Sequence, residues 1–333
     1  MADEQAAVLA IDGGNSKTDV ALIGWDGTVL AALRGPGASH EDYGMDGALS
    51  RLTDLIRLAA EKADIATAGR DGAGIVAPHI SACLAGADLP EEEAALTAAL
   101  LAGGWSHTAV AMNDTFAVLR GGVDEPWGVA VVCGAGINCV AVAPDGSTAR
   151  FLAHGTMTGD WGGGWGLGQA VMWHAMRGWD GRGRPTALGD AVAARFGLPS
   201  IRDVAIAVHK GVLGEPDLIQ LTTVLFAVAA DGDPVARSLV DRQAAEICAM
   251  AAAAMRQLEM APAGVPVILG GGVLESRDPL LLSEVDRQLA EAAPGATTHL
   301  LDVPPIAGAA LLGLDYVGAS TEPKLRLRAS YRP

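Results

Sequence analysis

Glycine-rich turns after short apolar runs are the segments of this chain whose residue types best suit phosphate chemistry. The first turn follows the apolar run 8–11 and consists of Asp12, Gly13, Gly14, Asn15, Ser16, Lys17 and Thr18. Backbone N–H groups of such a turn can face an anion, while a carboxylate at the strand end can hold a metal ion bound to that anion. An ordinary turn without a ligand is the simpler alternative, because these residue types also favour turns.

Two later glycine clusters stand at the ends of similar apolar runs. They are Gly134-Ala135-Gly136, followed by Ile137 and Asn138, and Gly270-Gly271-Gly272. Nucleotides approach the backbone closely at such strand ends in open α/β sheets, and two turns that face each other can hold a polyphosphate. The chain contains neither GxxxxGK[ST] nor GxGxxG, which disfavours a P-loop nucleotidase and a typical dinucleotide-binding domain.

Asp114 is the carboxylate best placed to act as a general base. It follows the short apolar run 109–112, and a carboxylate at a strand end can accept the proton of an attacking hydroxyl. From the residues alone, capping of a helix that begins near Thr115 explains this aspartate equally well.

The most glycine-rich segment runs from Gly159 to Gly168 and contains Asp160 and two tryptophans. Glycines let a backbone approach a ligand, Asp160 can accept hydrogen bonds from two hydroxyls, and an indole can cover the face of a pyranose ring. A flexible turn with its tryptophans in the core is the alternative. The segment is therefore a candidate sugar-binding site.

The elements that must position these residues occur twice. Strand, glycine turn, strand, Asp-Gly turn and strand are predicted over residues 8–33 and again over 129–153. Two such meanders predict two similarly folded domains. Helical and strand patterns alternate after the first meander, which indicates parallel strands joined by crossover helices. Basic residues without apolar periodicity from Lys324 onward predict a solvated tail.

The composition excludes several classes of function. The 333 residues are 50% apolar and carry a formal net charge of −16, a field that repels nucleic acid and anionic membrane surfaces. The cysteines are scattered, and neither CxxC nor HExxH occurs, so we expect no disulfide framework and no zinc site. Asp3 and Glu4 stand where a secretory signal would be basic, which favours a cytoplasmic protein.

Together these motifs resemble the BadF/BadG/BcrA/BcrD ATPase family, within the superfamily of sugar kinases, Hsp70 and actin. The similarity follows the order of the chain through residues 11–18, 86–88, 113–114, 134–139, 159–168, 270–273 and 306–309. It implies an α/β fold of two ribonuclease-H-like domains, of the actin and sugar kinase type, around an interdomain cleft. The expected first domain, with the sugar loop and the base, spans 1–120. The second, with a helical insertion and the adenosine site, spans 121–315, and the tail spans 316–333.

The resemblance also implies roles for particular residues. Asp12 would hold Mg²⁺, residues 13–18 and 134–136 would hold the phosphates of ATP, Gly270, Gly271 and Gly272 would flank the adenosine, and Asp114 would be the base. The residues expected to contact a sugar are Ser39, His40, Asn113, Asn138, Gly159 and Asp160. After this last aspartate the family usually has Glu-Gly-Ser, whereas this chain has Trp161-Gly162-Gly163, so one carboxylate is missing from the expected sugar site.

These roles predict ATP-dependent transfer of a phosphoryl group to the 6-hydroxyl of N-acetylglucosamine or glucosamine. The expected binding partner is thus a small amino sugar, and the expected assembly is a homodimer. The alternative is an ATPase activator of the 2-hydroxyacyl-CoA dehydratase and benzoyl-CoA reductase type, which carries an iron–sulfur cluster. Such a cluster needs clustered thiolates. The four cysteines, Cys83, Cys133, Cys139 and Cys248, do not resemble those ligands, and an iron assay on anaerobically purified protein would separate the two functions.

Overall fold

The computed structural model describes residues 6–65 and 74–332, which form two compact units. The first unit combines the residues up to Trp127 with those from Leu301 onward, and the second unit comprises Gly128–Leu300. Each unit contains a five-stranded sheet, so the structure repeats the architecture that the two meanders predicted.

Strands and helices are numbered along the whole chain. The strands are β1 (Ala6–Gly13), β2 (Lys17–Gly24), β3 (Val29–Pro36), β4 (His79–Leu84), β5 (Thr108–Asn113), β6 (Gly128–Cys133), β7 (Ile137–Val142), β8 (Thr148–Arg150), β9 (Pro266–Gly270) and β10 (Thr297–Leu300). The helices are α1 (His40–Lys62), α2 (Pro90–Ala102), α3 (Thr115–Gly122), α4 (Gly163–Trp179), α5 (Leu188–Phe196), α6 (Ile201–His209), α7 (Glu215–Leu218), α8 (Leu221–Ala230), α9 (Pro234–Gln257), α10 (Gly272–Glu275), α11 (Pro279–Ala292), α12 (Pro305–Tyr316) and α13 (Thr321–Tyr331).

The sheet of the first unit has the order β3-β2-β1-β4-β5. β1 pairs antiparallel with β2 and parallel with β4, and β4 pairs parallel with β5. The carboxyl ends of β1, β4 and β5 therefore lie at one edge of the sheet. Ligands of α/β proteins bind at that edge. Asp12, near the end of β1, and Asp114, directly after β5, are both brought there.

Helices cover both faces of the first sheet. On one face, Leu52 and Ile56 of α1 and Leu100 of α2 are buried against strand residues such as Leu9. On the other face, the core includes Ala309 and Leu311 of α12 and Leu327 of α13. Each strand of the centre is therefore buried on both sides, which explains why residues 8–11 form a continuous apolar run.

The C-terminal residues correct the predicted solvated tail. Residues 321–331 form α13, in which Leu327 is fully buried and Arg328 is 5% exposed. The Arg328 guanidinium donates hydrogen bonds to three main-chain oxygens at the C-terminal end of α3. One buried leucine and one buried arginine produce no apolar periodicity, which is why the sequence pattern predicted a tail.

The division between the units also differs from the predicted boundaries at 120/121 and 315/316. The chain passes into the second unit only after Trp127. α12, which was predicted to belong to the second domain, packs on β1 and β4 of the first unit. The prediction failed because it assumed that neighbours in sequence share a domain, whereas the first unit is discontinuous.

The sheet of the second unit has the order β10-β9-β6-β7-β8, and β6 and β7 form the predicted hairpin. The long alanine-rich helix predicted after Asp233 is α9, which packs on both hairpin strands. Its first turn is capped by Asp233, whose Oδ1 accepts hydrogen bonds of 2.9 Å from the N–H groups of Val235 and Ala236. Helices α4–α8 form the predicted helical insertion.

No helix within residues 6–65 and 74–332 is both long and apolar enough to cross a membrane on its own. The segments 216–230 and 234–257 reach the length and apolar composition of a membrane span only when taken together, and the chain bends by 118° at the break between them. Residues of the second segment such as Leu239 and Ile247 are buried in the protein interior.

Candidate active site

The turn after β1 is tight and largely exposed. The N–H of Gly14 donates to the main-chain oxygen of Lys17 at 2.9 Å, and the N–H of Ala85 donates to that of Gly13 at 2.8 Å. Thr18, where β2 leaves the turn, is 1% exposed, and its hydroxyl has no hydrogen-bond partner in the described part of the chain. A buried hydroxyl without a partner is unfavourable, so it indicates a ligand that supplies oxygen atoms.

Asp12 is surrounded by an excess of negative charge. Burial, reinforced by the charges of Asp114 and Asp19, raises the pKa of Asp12 to about 7, although Lys17 and Arg34 offset part of this effect. Carboxylates that share a site repel one another unless a proton or a cation intervenes. The site is therefore one that a divalent cation would stabilise.

The residues around Asp12 fit Mg²⁺ in particular. Within residues 6–65 and 74–332, no group of three or more His, Cys, Asp or Glu side chains could enclose a metal ion. Mg²⁺ does not need such a cage, because it keeps several waters and is usually held by one or two carboxylates together with substrate phosphates. Asp12 beside an exposed glycine turn supplies that kind of incomplete, oxygen-only site.

Asp19 is a buried residue of this site that the sequence reasoning missed. It lies opposite Asp12 in the β1–β2 register, and its carboxylate accepts hydrogen bonds from Arg34 Nε at 2.7 Å and Nη2 at 2.8 Å. The predicted hairpin could have revealed it, because a turn over residues 14–17 pairs Gly13 with Thr18 and Asp12 with Asp19. Because the Arg34 guanidinium already forms two hydrogen bonds with Asp19, it compensates the negative charge of Asp12 only in part.

Asp114 lies between β5 and α3, where its side chain is partly exposed. Burial raises the pKa of Asp114 to about 6, and nearby backbone N–H groups offset part of this shift. The start of α3 is capped by the neighbouring residue instead: Asn113 Oδ1 accepts hydrogen bonds from Thr115 N at 3.0 Å and Thr115 Oγ1 at 2.5 Å. In the described chain the Asp114 side chain makes no capping hydrogen bond, so the capping alternative does not explain it.

Asn113 itself is buried and engaged. Its Nδ2 donates to Asp88 Oδ1 at 2.7 Å, while its Oδ1 caps α3. These contacts fix the backbone from which Asp114 projects. The structure therefore gives Asn113 a positioning role, and its predicted contact with a sugar stays a prediction.

The segment that precedes α1 runs along the first glycine turn. The N–H of Ala38 donates to the main-chain oxygen of Gly14 at 3.3 Å, and a Cβ added to Gly37 would lie 1.9 Å from the main-chain oxygen of Asn15. Only glycine allows this approach. The structure thus places the predicted sugar loop directly beside the predicted phosphate turn.

The two predicted sugar ligands in this loop differ in how they are used. Ser39 is buried, and its Oγ caps α1 by accepting a hydrogen bond from Glu41 N at 3.2 Å. His40 is the first residue of α1 and is partly exposed. Of the two, His40 has the more accessible side chain.

The second glycine turn lies between β6 and β7 and is held by the start of α4. The N–H of Gly134 donates to the oxygen of Gly136 at 2.9 Å, and Ala135 and Gly136 are exposed. The first amides of α4 donate to the turn: Gly164 N to Gly134 O at 2.8 Å, and Trp165 N to Ala135 O at 3.0 Å. The unsatisfied N–H groups of a helix terminus therefore bind protein carbonyls here and fix the turn.

Gln243 of α9 supports the same arrangement, although no sequence pattern indicates this role. Its Oε1 accepts a hydrogen bond from Gly163 N at 3.0 Å, across 80 positions of sequence. Gly163 has a φ of +69°, and a Cβ there would lie 2.3 Å from the oxygen of Gly136. The side chain of Gln243 is fully buried, and in the described chain its Nε2 has no hydrogen-bond partner.

The third glycine cluster packs behind the second turn. Gly270 ends β9, and Gly271 has a φ of +90° before α10 begins. A Cβ on Gly271 would lie 2.6 Å from the carbonyl of Cys133 and 2.8 Å from Gly134 N. The second unit thus brings together its three glycine clusters, 134–136, 159–164 and 270–272.

Asp160 lies in the loop before α4 and is partly exposed. Its Oδ2 accepts a hydrogen bond of 2.5 Å from Thr158 Oγ1, and its N–H donates to Gly155 O at 3.0 Å. Gly159 has a φ of +94°, with open space where a side chain would be. Asn138 stands on β7 just after the second turn, where its Oδ1 accepts from Cys139 N at 2.7 Å.

The four cysteines are all free and buried. Burial raises the pKa of Cys133 to about 12 and raises that of Cys83 well above its usual range. Metal ligation requires the thiolate, which such surroundings disfavour. These thiols suit the role of small core side chains better than that of cluster ligands.

Comparison with known proteins identifies the family of this chain. A sequence profile of the BadF/BadG/BcrA/BcrD ATPase family matches residues 9–313. The chain belongs to this family. Use of ATP follows from that membership.

Two relatives are similar over most of their length. One is an N-acetylmuramic acid/N-acetylglucosamine kinase of Clostridium acetobutylicum, 25% identical over 277 residues, which are 81% of this chain and 86% of the relative. The other is an N-acetyl-D-glucosamine kinase of Dictyostelium discoideum, 23% identical over 92% of this chain and 97% of the relative.

The fold is shared with a solved structure, that of a candidate N-acetylglucosamine kinase from Chromobacterium violaceum. The TM-score is 0.72 at 22% sequence identity, over 93% of this chain and 99% of that one. The predicted fold class, two α/β halves of the sugar kinase type, is thereby confirmed.

Proposed function

We propose that this protein is an ATP-dependent hexosamine kinase that transfers the γ-phosphoryl group of ATP to the 6-hydroxyl of N-acetylglucosamine or glucosamine. The observation that carries the proposal is the position of Asp114: an accessible carboxylate with no capping role, at the same sheet edge as Asp12 and the first glycine turn. The names of the two relatives support an amino sugar as the acceptor.

In the proposed reaction Asp114 accepts the proton of the sugar hydroxyl. The hydroxyl oxygen forms a bond to the γ-phosphorus, and the bond from that phosphorus to the β,γ-bridging oxygen breaks, which releases ADP. With its pKa raised to about 6, Asp114 is ionised at neutral pH and is yet a stronger base than an ordinary aspartate. Asn113 holds the backbone of Asp114 in place.

Asp12 would hold Mg²⁺, directly or through water. When bound, Mg²⁺ neutralises charge on the β- and γ-phosphate oxygens. The turn residues 13–17, of which 15–17 are exposed, would contact the phosphates together with the Thr18 hydroxyl and the turn 134–136, with residues 270–272 beside the adenosine. Rigid backbone donors of this kind stabilise charge without reorganising during the reaction.

The proposed sugar contacts are Ser39, His40, Asn113, Asn138, Gly159 and Asp160. Asp160 is the strongest of them, because it is a partly exposed carboxylate in a loop whose backbone is open on one side. Its bond to Thr158 orients one oxygen and leaves the other for sugar hydroxyls.

A panel of sugars tests the proposal directly. ADP formation is measured with ATP and Mg²⁺, with and without each hexose or hexosamine. We expect ADP formation that depends on an amino sugar, together with a sugar 6-phosphate as product. ADP released at the same rate with and without every sugar would contradict the kinase function and favour an ATPase.

We also propose that the protein is a homodimer in the cytoplasm. One side of α4 exposes Trp165, Trp173 and Trp179 by 46%, 55% and 53%, an apolar surface that twofold pairing of two copies could cover. Sedimentation equilibrium should give twice the mass of the chain. A Trp165→Gln, Trp179→Gln variant should sediment as a monomer, and a wild type that stays monomeric would contradict the proposal.

A further inference from the structure

The second unit places a positive charge next to the proposed sugar residue Asp160. The residue that follows it, Trp161, is stacked against Arg242 of α9, whose guanidinium carbon lies 3.8 Å from the centre of the indole ring. The next residue of α9, Gln243, binds the backbone N–H of Gly163 at 3.0 Å. Two consecutive α9 residues therefore fix the segment 161–163, and the guanidinium is held at the base of the Asp160 loop.

This positive charge is only weakly compensated. Arg242 Nε is 3.7 Å from Glu246 Oε1, too long for a hydrogen bond, and about half of the arginine side chain is exposed. One further cation, Arg177, lies close by on α4 and stacks on Trp173 at 4.4 Å. Burial together with the charges of Arg177 and Arg242 lowers the pKa of the neighbouring His174, so this imidazole adds little positive charge. In a chain of net charge −16, this is a local concentration of positive charge.

A guanidinium stacked on an indole is well suited to bind a carboxylate. Stacking uses the face of the guanidinium, so its N–H groups, which lie in the plane, remain free to donate two parallel hydrogen bonds. Such paired bonds to a carboxylate are among the strongest in proteins. The stacking also restricts the rotation of the long side chain, so less entropy is lost on binding.

We propose that Arg242 binds the carboxylate of an acidic amino sugar, so that this kinase prefers a hexosamine with an anionic substituent to a neutral hexosamine or a free amine. The inference rests on the proposed function, because it takes Asp160 to contact the sugar. The chain has Trp161 where a second carboxylate was expected, and this change favours an anionic substituent further. The ammonium group of glucosamine would be repelled by the same charge.

The test uses three matched sugars. N-acetylmuramic acid is N-acetylglucosamine with a lactyl ether on O3, and its methyl ester has nearly the same size without the charge. Calorimetry measures the Kd of each sugar, and ADP formation measures kcat/KM. We expect the acid to bind about 10- to 100-fold more tightly than its ester, as is typical for a charged hydrogen-bonded pair.

Variants assign the effect to one side chain. Arg242→Gln should remove most of the preference for the acid over the ester, mainly through KM. Arg242→Lys should retain part of the preference for the acid over the ester. Arg256→Gln, at an exposed arginine about four turns further along α9, is the matched control and should leave the binding of both sugars unchanged.

The outcomes separate this inference from the proposed function. Equal binding of acid and ester by the wild type, or a preference that survives in Arg242→Gln, would overturn the role of Arg242 even if N-acetylglucosamine is phosphorylated. If no sugar is phosphorylated, the kinase proposal fails. Calorimetry then still decides whether Arg242 binds the carboxylate.

Discussion

The first and second glycine turns occupy the same place in two similar hairpins, but they are stabilised in opposite ways. The first turn, after β1, borders the carboxylates Asp12, Asp19 and Asp114, and the charges of the last two disfavour ionisation of Asp12. Among the residues that the structure describes, the second turn, after β6, has no such cluster, and its carbonyls accept hydrogen bonds from the amides of Gly164 and Trp165. The first turn is thus electrostatically strained, and the second is rigid.

This difference indicates a division of labour. Unfavourable charge is tolerated where a proton and a cation must be handled, since those ligands relieve it. A turn that only has to present backbone donors gains from rigidity instead, because a preorganised donor need not rearrange during the reaction. Removing a carboxylate at the first turn should therefore lower activity without lowering stability, whereas loosening the second turn should weaken ATP binding more than it slows the chemical step.

The largest expected effect is that of Asp114→Asn. Loss of the base should lower kcat by about 10²- to 10⁴-fold, while ATP affinity changes little. In the described chain the Asp114 side chain makes no capping hydrogen bond, and its raised pKa means that folding disfavours the ionised form, so the melting temperature at pH 8 should stay the same or rise. The matched control is Asp145→Asn, in the exposed Asp-Gly turn of the second hairpin, which should keep full activity. Near-normal turnover in Asp114→Asn would leave the mechanism without its proton acceptor.

Asp12→Asn should make the protein less active and, without metal, more stable. The raised pKa means that folding disfavours the ionised form, so this group lowers stability progressively as the pH rises from about 4 to 7. In EDTA at pH 8 the variant should gain on the order of 2–4 kcal/mol, and near pH 4 the difference should vanish. Melting curves at both pH values check this. A variant that is less stable at pH 8 would refute the strain of the first turn.

Gly163→Ala tests the rigidity of the second turn. The added Cβ would meet the oxygen of Gly136 at 2.3 Å, and the residue has a φ of +69°, so we expect a loss of about 1–3 kcal/mol in unfolding free energy. The KM for ATP should rise, with a smaller change in kcat. Gly166→Ala, on the same helix with nothing within 4 Å, is the control and should be neutral or slightly stabilising. Equal melting temperatures in the two variants would contradict the packing described.

The smallest expected effect on stability is that of Gln243→Met. The change leaves Gly163 N–H without its acceptor, but it also removes the buried Nε2 that has no partner in the described chain. These opposing terms are similar in size, so unfolding free energy should change by less than about 1 kcal/mol. The KM for ATP should still rise severalfold, because the turn is less well fixed. A titration of ATP binding together with a urea melt tests both parts.

Local patterns predicted most of the fold and the parts of the site that depend on strand ends. Residues 8–11 and 109–112 were recognised as strands from short apolar runs, and the turns after them from glycine. Asp12 and Asp114 could be found because the end of a strand is a local feature. Parallel pairing then brings such ends to one edge without any specific long-range signal.

The features that were missed depend on contacts between distant residues. Gln243 and Arg242 lie in an alanine-rich helix whose pattern indicates only burial and exposure, and their partners are about 80 positions away. The sequence pattern predicts a solvated Arg328, because arginines are rarely buried unless their N–H groups have hydrogen-bond acceptors. The acceptors are main-chain oxygens of α3, some 200 positions earlier in the chain. Sequence spacing carries no information about such partners.

The discontinuity of the first unit has a consequence for synthesis on the ribosome. The sheet made by β1, β4 and β5 has one face that is completed only by α12 and α13, which are translated after the whole second unit. Residues Val8 and Ala10 therefore remain uncovered while some 170 residues emerge. The second unit, a continuous segment, can fold during that interval, and the first folds last although it is made first. A newly made chain would thus acquire its carboxylate cluster only after its rigid second glycine turn is in place.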